Sequence, residues 1–485
     1  MQLGGPSALV TFGVSPRRGR FDGWRSVARL VRRLSDVARY AHPRYERAPV
    51  LRERMATKTV HHLRKSYEFE PIGRRLALQL ARRLASTADA EVSERAIHTL
   101  ARLEHAIPTS RRIDRYIRER APDVVLVAGV LKQTSQVDFL KSARRLRIPA
   151  GILVPSWDNL TNKGLLKFTP ERVFVWNERQ RSEAIELHGI PADRVVATGA
   201  QLFDEWFDRR PSTGQDEFAR KIGLDSAPYV VYLGSSSFIT QRGGEVEFVL
   251  RWIEALRSSD DERLRRLGVV IRPHPGVPRR WRQANLAEIH NAVVWPQQGS
   301  LPISTEARDD FFDTIAHSTA VVGINTTAMI EAAVIGKSVL TILAPEFAQE
   351  DTLHFHYLLE ENGGFLHVAS SLEEHAAQLA RVLGEGTEGA EQRCRFVESF
   401  VRPHGLGRPA TPILADAVEE LASLPVTDSA EGASWPLRAV LGIEAGLSSL
   451  AIAAAPARRR LRKLRRRLVS RASDQPAVAA QVDPR

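Results

Sequence analysis

At 485 residues with 43 % apolar composition, the chain is too long for one ordinary core and long enough for two full α/β domains. Its single cysteine, Cys394, excludes an internal disulfide and a cysteine-rich zinc site and fits a reducing compartment. The formal charge of +12 gathers between Arg17 and Lys65 and between Arg458 and Arg471; the second of these runs has no aromatic residue, so a nucleic-acid reader is not expected.

The first residues place charges after a brief apolar stretch, and no run of eighteen or more apolar residues follows anywhere. Neither a secretory signal nor a membrane span is therefore expected, and a cytoplasmic place, peripheral at most to the inner face of the cell membrane, is. From Phe21 to about Ile117 the pattern is arginine-rich and helical, with Val27, Leu30, Val31, Leu34 and Val37 on one face.

The pattern then changes. Strands are predicted at 123–129 and 150–155, with a helix over 139–146 between them; strands at 172–176 and 194–199 enclose a helix from Glu178. Strands alternating with helices imply a parallel sheet. The polar stretch at 211–227, with Pro211, Ser212 and Gly214, reads as a linker. Beyond it come strands at 229–233, 268–272, 292–295, 320–323, 338–342 and 365–368, separated by helices that include 309–317, 327–335 and 349–361. The domains expected are thus 1–120 (an arginine-rich helical part of the first domain), 121–210 (its Rossmann-like remainder), 211–227 (linker), 228–425 (a second Rossmann-like domain) and 426–485. In that last region a moderately apolar helix at 437–455 ends at Pro456. An interfacial basic helix at 457–470, with Leu461, Leu464 and Leu468 on one face, and a disordered tail follow; the expected partner of this helix is an anionic membrane surface.

In doubly wound sheets ligands bind beyond the carboxyl ends of the strands, so the loops after strands hold the candidates. Arg272-Pro-His274-Pro aims a guanidinium and an imidazole out of the second sheet: Arg272 suits phosphate oxygens, and His274 suits phosphate donation or proton transfer. Asn325, Thr326 and Thr327 open a helix whose amides suit a phosphate, although ordinary capping accounts for the same residues. Glu331, one turn on, suits ribose hydroxyls. Gly234, Ser235 and Ser236 form a small-residue turn that a ligand can approach. His354 and His356 are two apart and face different sides of a helix, so no metal pair is indicated; His354 is either a donor contact or a structural histidine. In the first domain Ser156, Trp157, Asp158 and Asn159 project from a strand end. Trp157 suits stacking on a sugar, and Asp158 suits activation of an acceptor hydroxyl.

The order of these short segments, Ser156-Trp-Asp-Asn159, 194–199, Arg272-Pro-His-Pro275, Gly323-Ile-Asn-Thr-Thr327 to Glu331, Gly336-Lys337 and Asp351 to His354, resembles GT-B-fold glycosyltransferases over about residues 121–422. The neighbourhood is that of bacterial CDP-glycerol glycerophosphotransferases and surface polysaccharide transferases. The resemblance implies two Rossmann-like domains facing across a cleft, the first lacking part of its amino-terminal end. It implies phosphate contacts from Arg272, His274, Thr326 and Thr327, a ribose contact from Glu331, and no structural metal or tightly bound cofactor. The implied activity is transfer of a glycosyl or glycerol-phosphate-like group from a UDP-, CDP- or GDP-linked donor to a glycan or lipid-linked acceptor. A hydrolysing sugar-nucleotide 2-epimerase and a non-catalytic membrane-surface binding protein are the alternatives.

Overall fold

A computed structural model describes residues 12–65, 71–129, 134–224, 228–236, 239–240, 244–282, 289–347, 349–385, 389–426 and 434–473. The beginning of the apolar run at 8–13 and the tail 474–485 lie outside these residues. The chain forms two units. One is helical and takes residues 1–42, 55–120 and 428–485; the other takes 43–54 and 121–427 and holds every strand.

In the helical unit the Trp24–Ala41 helix buries Val27, Ala28, Val31, Leu34, Val37 and Ala38, the stripe its three-and-four spacing requires. It packs against the Ala90–Ala106 helix, whose N-cap Asp89 accepts from the Val92 amide. Across that seam Arg32 grips Glu104 through two bonds of 2.8 Å, and both side chains are buried. The Trp435–Ser473 helix joins the same cluster through Leu441 and Ala445. It passes through Pro456, where the sequence predicts a stop. Alanine-rich and leucine–arginine-rich flanks are strong helix formers on both sides of the one lost hydrogen bond.

The α/β unit contains two all-parallel sheets. The first has the order β1 (Val125–Ala128), β2 (Ala150–Leu153), β3 (Arg172–Val175), β4 (Val195–Ala197). Its edge strand β1 alternates buried and exposed residues. The second contains β5 (Tyr229–Leu233), β6 (Gly268–Arg272), β7 (Ala292–Val294), β8 (Ala320–Gly323), β9 (Ser338–Ile342) and β10 (Leu366–Ala369), in the order β10-β9-β8-β5-β6-β7. All residues of β5, β6, β8 and β9 are buried, as continuous apolar runs are when helices cover both faces of a parallel sheet. This is the doubly wound order, and its direction reverses between β5 and β8. With the four-stranded lobe it gives the two-lobed, Rossmann-like α/β architecture expected of a GT-B fold.

Two elements of the α/β unit also differ from expectation. The helix expected at 349–361 is replaced by short 3-10 turns, Phe355–Leu358 and Glu360–Asn362. Gln349 reaches back to the Ile342 carbonyl (3.1 Å) and Thr352 Oγ1 donates to the Gln349 carbonyl (2.8 Å), so side chains compete with the helical ladder. The 211–227 stretch contains a helix, Gln215–Ile222, closed by Gly223. It is tied down where Asp313 accepts from the Ser212 amide, Ser212 Oγ and Thr213 Oγ1 at 2.7 to 2.9 Å.

The chain crosses between the lobes twice. It leaves the first lobe through Gly199 and Ala200 and returns through Val401 and Ala410, the Ala200 amide donating to the Val401 carbonyl at 2.8 Å. Gly199 has φ 90°, and a Cβ there would lie 2.6 Å from the Ala410 Cβ, so only glycine lets the two passes touch. Asp204 clamps the returning segment, accepting from Arg402 (3.1 Å) and from the Ala410 (3.0 Å) and Thr411 (2.7 Å) amides.

Candidate functional site

The switch point between β5 and β8 opens into a cavity of about 430 Å³. From the second lobe it is lined by Ser236 and Ile239 after β5, His274 after β6, Asn325, Thr326 and Thr327 after β8, and His354 after β9. The first lobe supplies Ser156, Trp157, Asp158, Asn159, Asn162 and Lys163 after β2, and the helix Pro49–Lys65 supplies Arg54. His274 and the helix start at Thr326 thus share one space, within reach of a single ligand.

The helix Thr327–Val334 is capped by Thr326 in extended geometry, but the Thr326 side chain makes no capping bond. Its first-turn amides and that hydroxyl are the groups an anion would meet. Asn325 is occupied otherwise, donating to Thr352 Oγ1 at 3.0 Å. His274 accepts from the Gly276 amide at Nδ1 (3.0 Å), so its neutral ring carries the proton on Nε2, and burial lowers its pKa. A neutral imidazole with a fixed Nε2–H is a hydrogen-bond donor throughout the physiological range. Gly234 makes this arrangement possible: its amide donates to the Arg272 carbonyl at 2.9 Å, and a Cβ would lie 2.8 Å from the His274 amide nitrogen.

Asp158 does not have the environment of a base. Burial alone raises its carboxyl, but the charge of Lys163 and hydrogen bonds from Lys163 Nζ and Ser156 Oγ (2.7 Å) outweigh that, so it sits well below the usual carboxylate range. Asn159 Nδ2 donates to it as well, at 2.9 Å. A carboxylate stabilised this strongly has little affinity for a proton; it holds Lys163 and shapes the loop instead. Trp157 lines the cavity from the first lobe. It is 2 % exposed, its Nε1 donates to Thr327 Oγ1 across the lobes at 3.1 Å, and its ring meets His354 edge-on at 4.6 Å. His354 is neutral: burial brings its pKa down to about 4 against the pull of Asp158, and Nδ1 lies 3.3 Å from Thr161 Oγ1.

Four of the expected donor residues lie outside the cavity lining: Arg272, Gly234, Ser235 and Glu331. Arg272 ends a strand covered on both faces, so its guanidinium stays within the lobe, bonded to Asp310 (3.0 Å) and Thr314 Oγ1 (2.8 Å) over the Phe311 ring. Its Nη2 is buried without a hydrogen-bond partner. Glu331 accepts from Trp206 Nε1 (3.3 Å) and is pushed up to about 7 by burial, with Arg272 pulling the other way. Ser235 is wholly buried, its amide donating to Glu245 Oε1 at 2.6 Å.

Sequence reasoning did not single out Arg54, Asn162, Lys163 or Ile239. Lys163 carried a signal, five residues beyond Asp158 in the same loop. Arg54 carried none among so many arginines, and in the structure it points Nη1 at Asn162 Oδ1 (3.5 Å). The lining has two basic side chains, Arg54 and Lys163, against one carboxylate, Asp158, and so favours an anion. Among the described residues no group of three His, Cys, Asp or Glu side chains could hold a metal ion.

No protein-family model and no curated protein matches the chain. Among solved structures it is similar to a UDP-GlcNAc 2-epimerase from Methanocaldococcus jannaschii, at 12 % identity over 66 % of this chain and 83 % of that one, with a TM-score of 0.44. It is similar also to MnaA of S. aureus in complex with UDP (16 %, 64 % and 80 %, 0.44). A glycosyltransferase from Rickettsia africae matches comparably (13 %, 66 % and 80 %, 0.43). At such identities and scores the architecture rests on the chain's own sheet order: a doubly wound lobe and a four-stranded parallel lobe sharing one cavity.

Proposed function

We propose that this protein is a transferase that moves a glycosyl or glycerol-phosphate-like group from a nucleotide-activated donor to a glycan or lipid-linked acceptor. One observation carries the reading: the loops after β5, β6 and β8 at the switch point face a loop of the other lobe across a cavity with an excess of positive charge. In this reading the Nε2–H of His274, the Thr326 hydroxyl and the amides at the start of the Thr327–Val334 helix meet the donor's phosphates. As the bond to the transferred group breaks, negative charge grows on the leaving phosphate, and donors already in place stabilise it without reorganising. Arg54 and Lys163 add positive charge from the acceptor side.

The test is incubation of the purified protein with UDP-, CDP- and GDP-linked donors, with and without glycan or lipid-linked acceptors. Nucleotide release that requires an acceptor supports transfer. Release without acceptor, with recovery of a sugar inverted at C2, identifies a hydrolysing epimerase in its place. A nucleotide that binds the native state must also raise the melting temperature, which ranks the three bases before an acceptor is found.

A further inference from the structure

We propose that the first half of the Trp435–Ser473 helix lies in the surface of an anionic lipid bilayer, its exposed apolar stripe among the upper acyl chains and the arginines that follow it at the headgroups. The inference rests on the helical unit alone and stands independently of the transferase reading.

One side of this helix is committed to protein. Ala445, Ser448 and Ala451 are buried, and the Gly23 amide donates to Ser449 Oγ at 3.0 Å. A Cβ on Gly23 would fall 1.7 Å from the Ala445 carbonyl oxygen, so the helix backbone rests directly on the chain at that point. Among the described residues nothing covers the other side. Val440, Ile443, Leu447 and Leu450 are 66, 68, 40 and 70 % exposed and repeat at intervals of three and four, which aligns them in one stripe. Ala439, Gly446 and Ala453 are exposed beside them, and the one charged residue between 439 and 453, Glu444, is half-buried at the margin, accepting from Ser448 Oγ at 3.4 Å. A stripe of this kind facing water is unfavourable and marks an interaction surface.

Charge selects the occupant. The helix continues unbroken to Ser473, and the sequence after the stripe reads Arg458-Arg-Arg-Leu-Arg-Lys-Leu-Arg-Arg-Arg467. An apolar stripe continued by a dense cationic run suits the boundary of an anionic membrane, where acyl chains take up the one and headgroup phosphates the other side by side. Trp435, 78 % exposed at the start of the helix, is a residue type that favours the membrane–water boundary. The segment 435–454 has a mean hydropathy of 1.5 and the length to cross a bilayer, the one such helix among the described residues. Its buried side nonetheless fixes it to the helical bundle, and crossing would strip Ala445, Ser448 and Ala451 from their protein contacts. The helix therefore lies along the surface. The sequence alone assigns this role to the basic run; the structure adds the stripe as the part that inserts.

The experiment is co-sedimentation of the full chain with vesicles of phosphatidylcholine, with and without phosphatidylglycerol. The wild type should bind the anionic vesicles, and the double variant Ile443→Glu/Leu447→Glu should lose about tenfold or more in partitioning while keeping its far-UV circular dichroism. In a Cys394→Ser background, an environment-sensitive dye on Leu447→Cys should shift to the blue on adding anionic vesicles. Two outcomes overturn the proposal: the glutamate variant binds as the wild type does, leaving the arginines as the whole attachment, or the wild type ignores vesicles and forms a dimer that the glutamate variant dissociates.

Discussion

Glu245→Gln should make the protein more stable above neutral pH and should flatten the way its stability changes with pH. Glu245 is 2 % exposed; its Oε1 accepts from the Ser235 amide and, at 3.3 Å, from the Tyr232 hydroxyl, while Oε2 is buried without a partner. Burial pushes its carboxyl up from 4.5 to about 7, against the opposing pull of the Ser235 and Tyr232 hydrogen bonds and of Arg280. The folded protein therefore binds this proton more tightly than the unfolded chain. The associated stability is fully present below about pH 4.5 and is lost as the pH rises to about 7. At about 1.4 kcal/mol per pKa unit, the difference comes to roughly 3 kcal/mol of stability lost by pH 8. Glutamine keeps an acceptor for the Ser235 amide and has no charge to bury. Urea unfolding of wild type and variant at pH 5 and pH 8 should show the variant gaining stability at pH 8 relative to pH 5 by an amount of that order. Equal slopes for the two proteins would refute the reasoning, since they would mean that the carboxylate is hydrated or paired in solution.

His274→Ala removes the fixed Nε2–H donor and should lower turnover by about 10²- to 10³-fold, the usual effect of losing one donor to a developing oxyanion. Steady-state rates together with an unchanged melting temperature check it. Arg54→Ala should weaken binding of the anionic ligand and reduce the salt dependence of that binding while the fold persists; titration calorimetry with nucleotide at two ionic strengths reads both. Arg32→Met removes the two-bond ion pair to the buried Glu104 and should destabilise the helical unit by about 3 kcal/mol, visible as a lowered unfolding midpoint.

Much of this architecture can be read in the residues themselves. The runs at 229–233, 268–272, 320–323 and 338–342 are apolar on both faces, and a continuous apolar run bounded by turn residues has few places to go except a covered parallel sheet. Because ligand loops follow strand ends, Ser236, His274 and Asn325 to Thr327 can be picked out once the strands are found. The sequence could not say on which side of a strand end a side chain falls. Arg272 and His274 are two residues apart, yet one is locked to Asp310 within the lobe and the other lines the cavity. Nor could it reveal partners distant along the chain. The bond from Trp157 Nε1 to Thr327 Oγ1, 170 residues away, leaves no local mark. Arg54 comes from a helix remote in sequence from every strand, and no local pattern marks it.

The double passage of the chain at Gly199–Ala200 and Val401–Ala410 has a mechanical consequence. A single tether would leave the two lobes free to swivel in any direction. Two strands of chain pinned side by side by the Ala200–Val401 bond and the Asp204 clamp behave like the pins of a door, permitting rotation about the line through them and resisting slip along it. A side chain larger than hydrogen at residue 199 would wedge those pins apart and change the angle at which the door hangs.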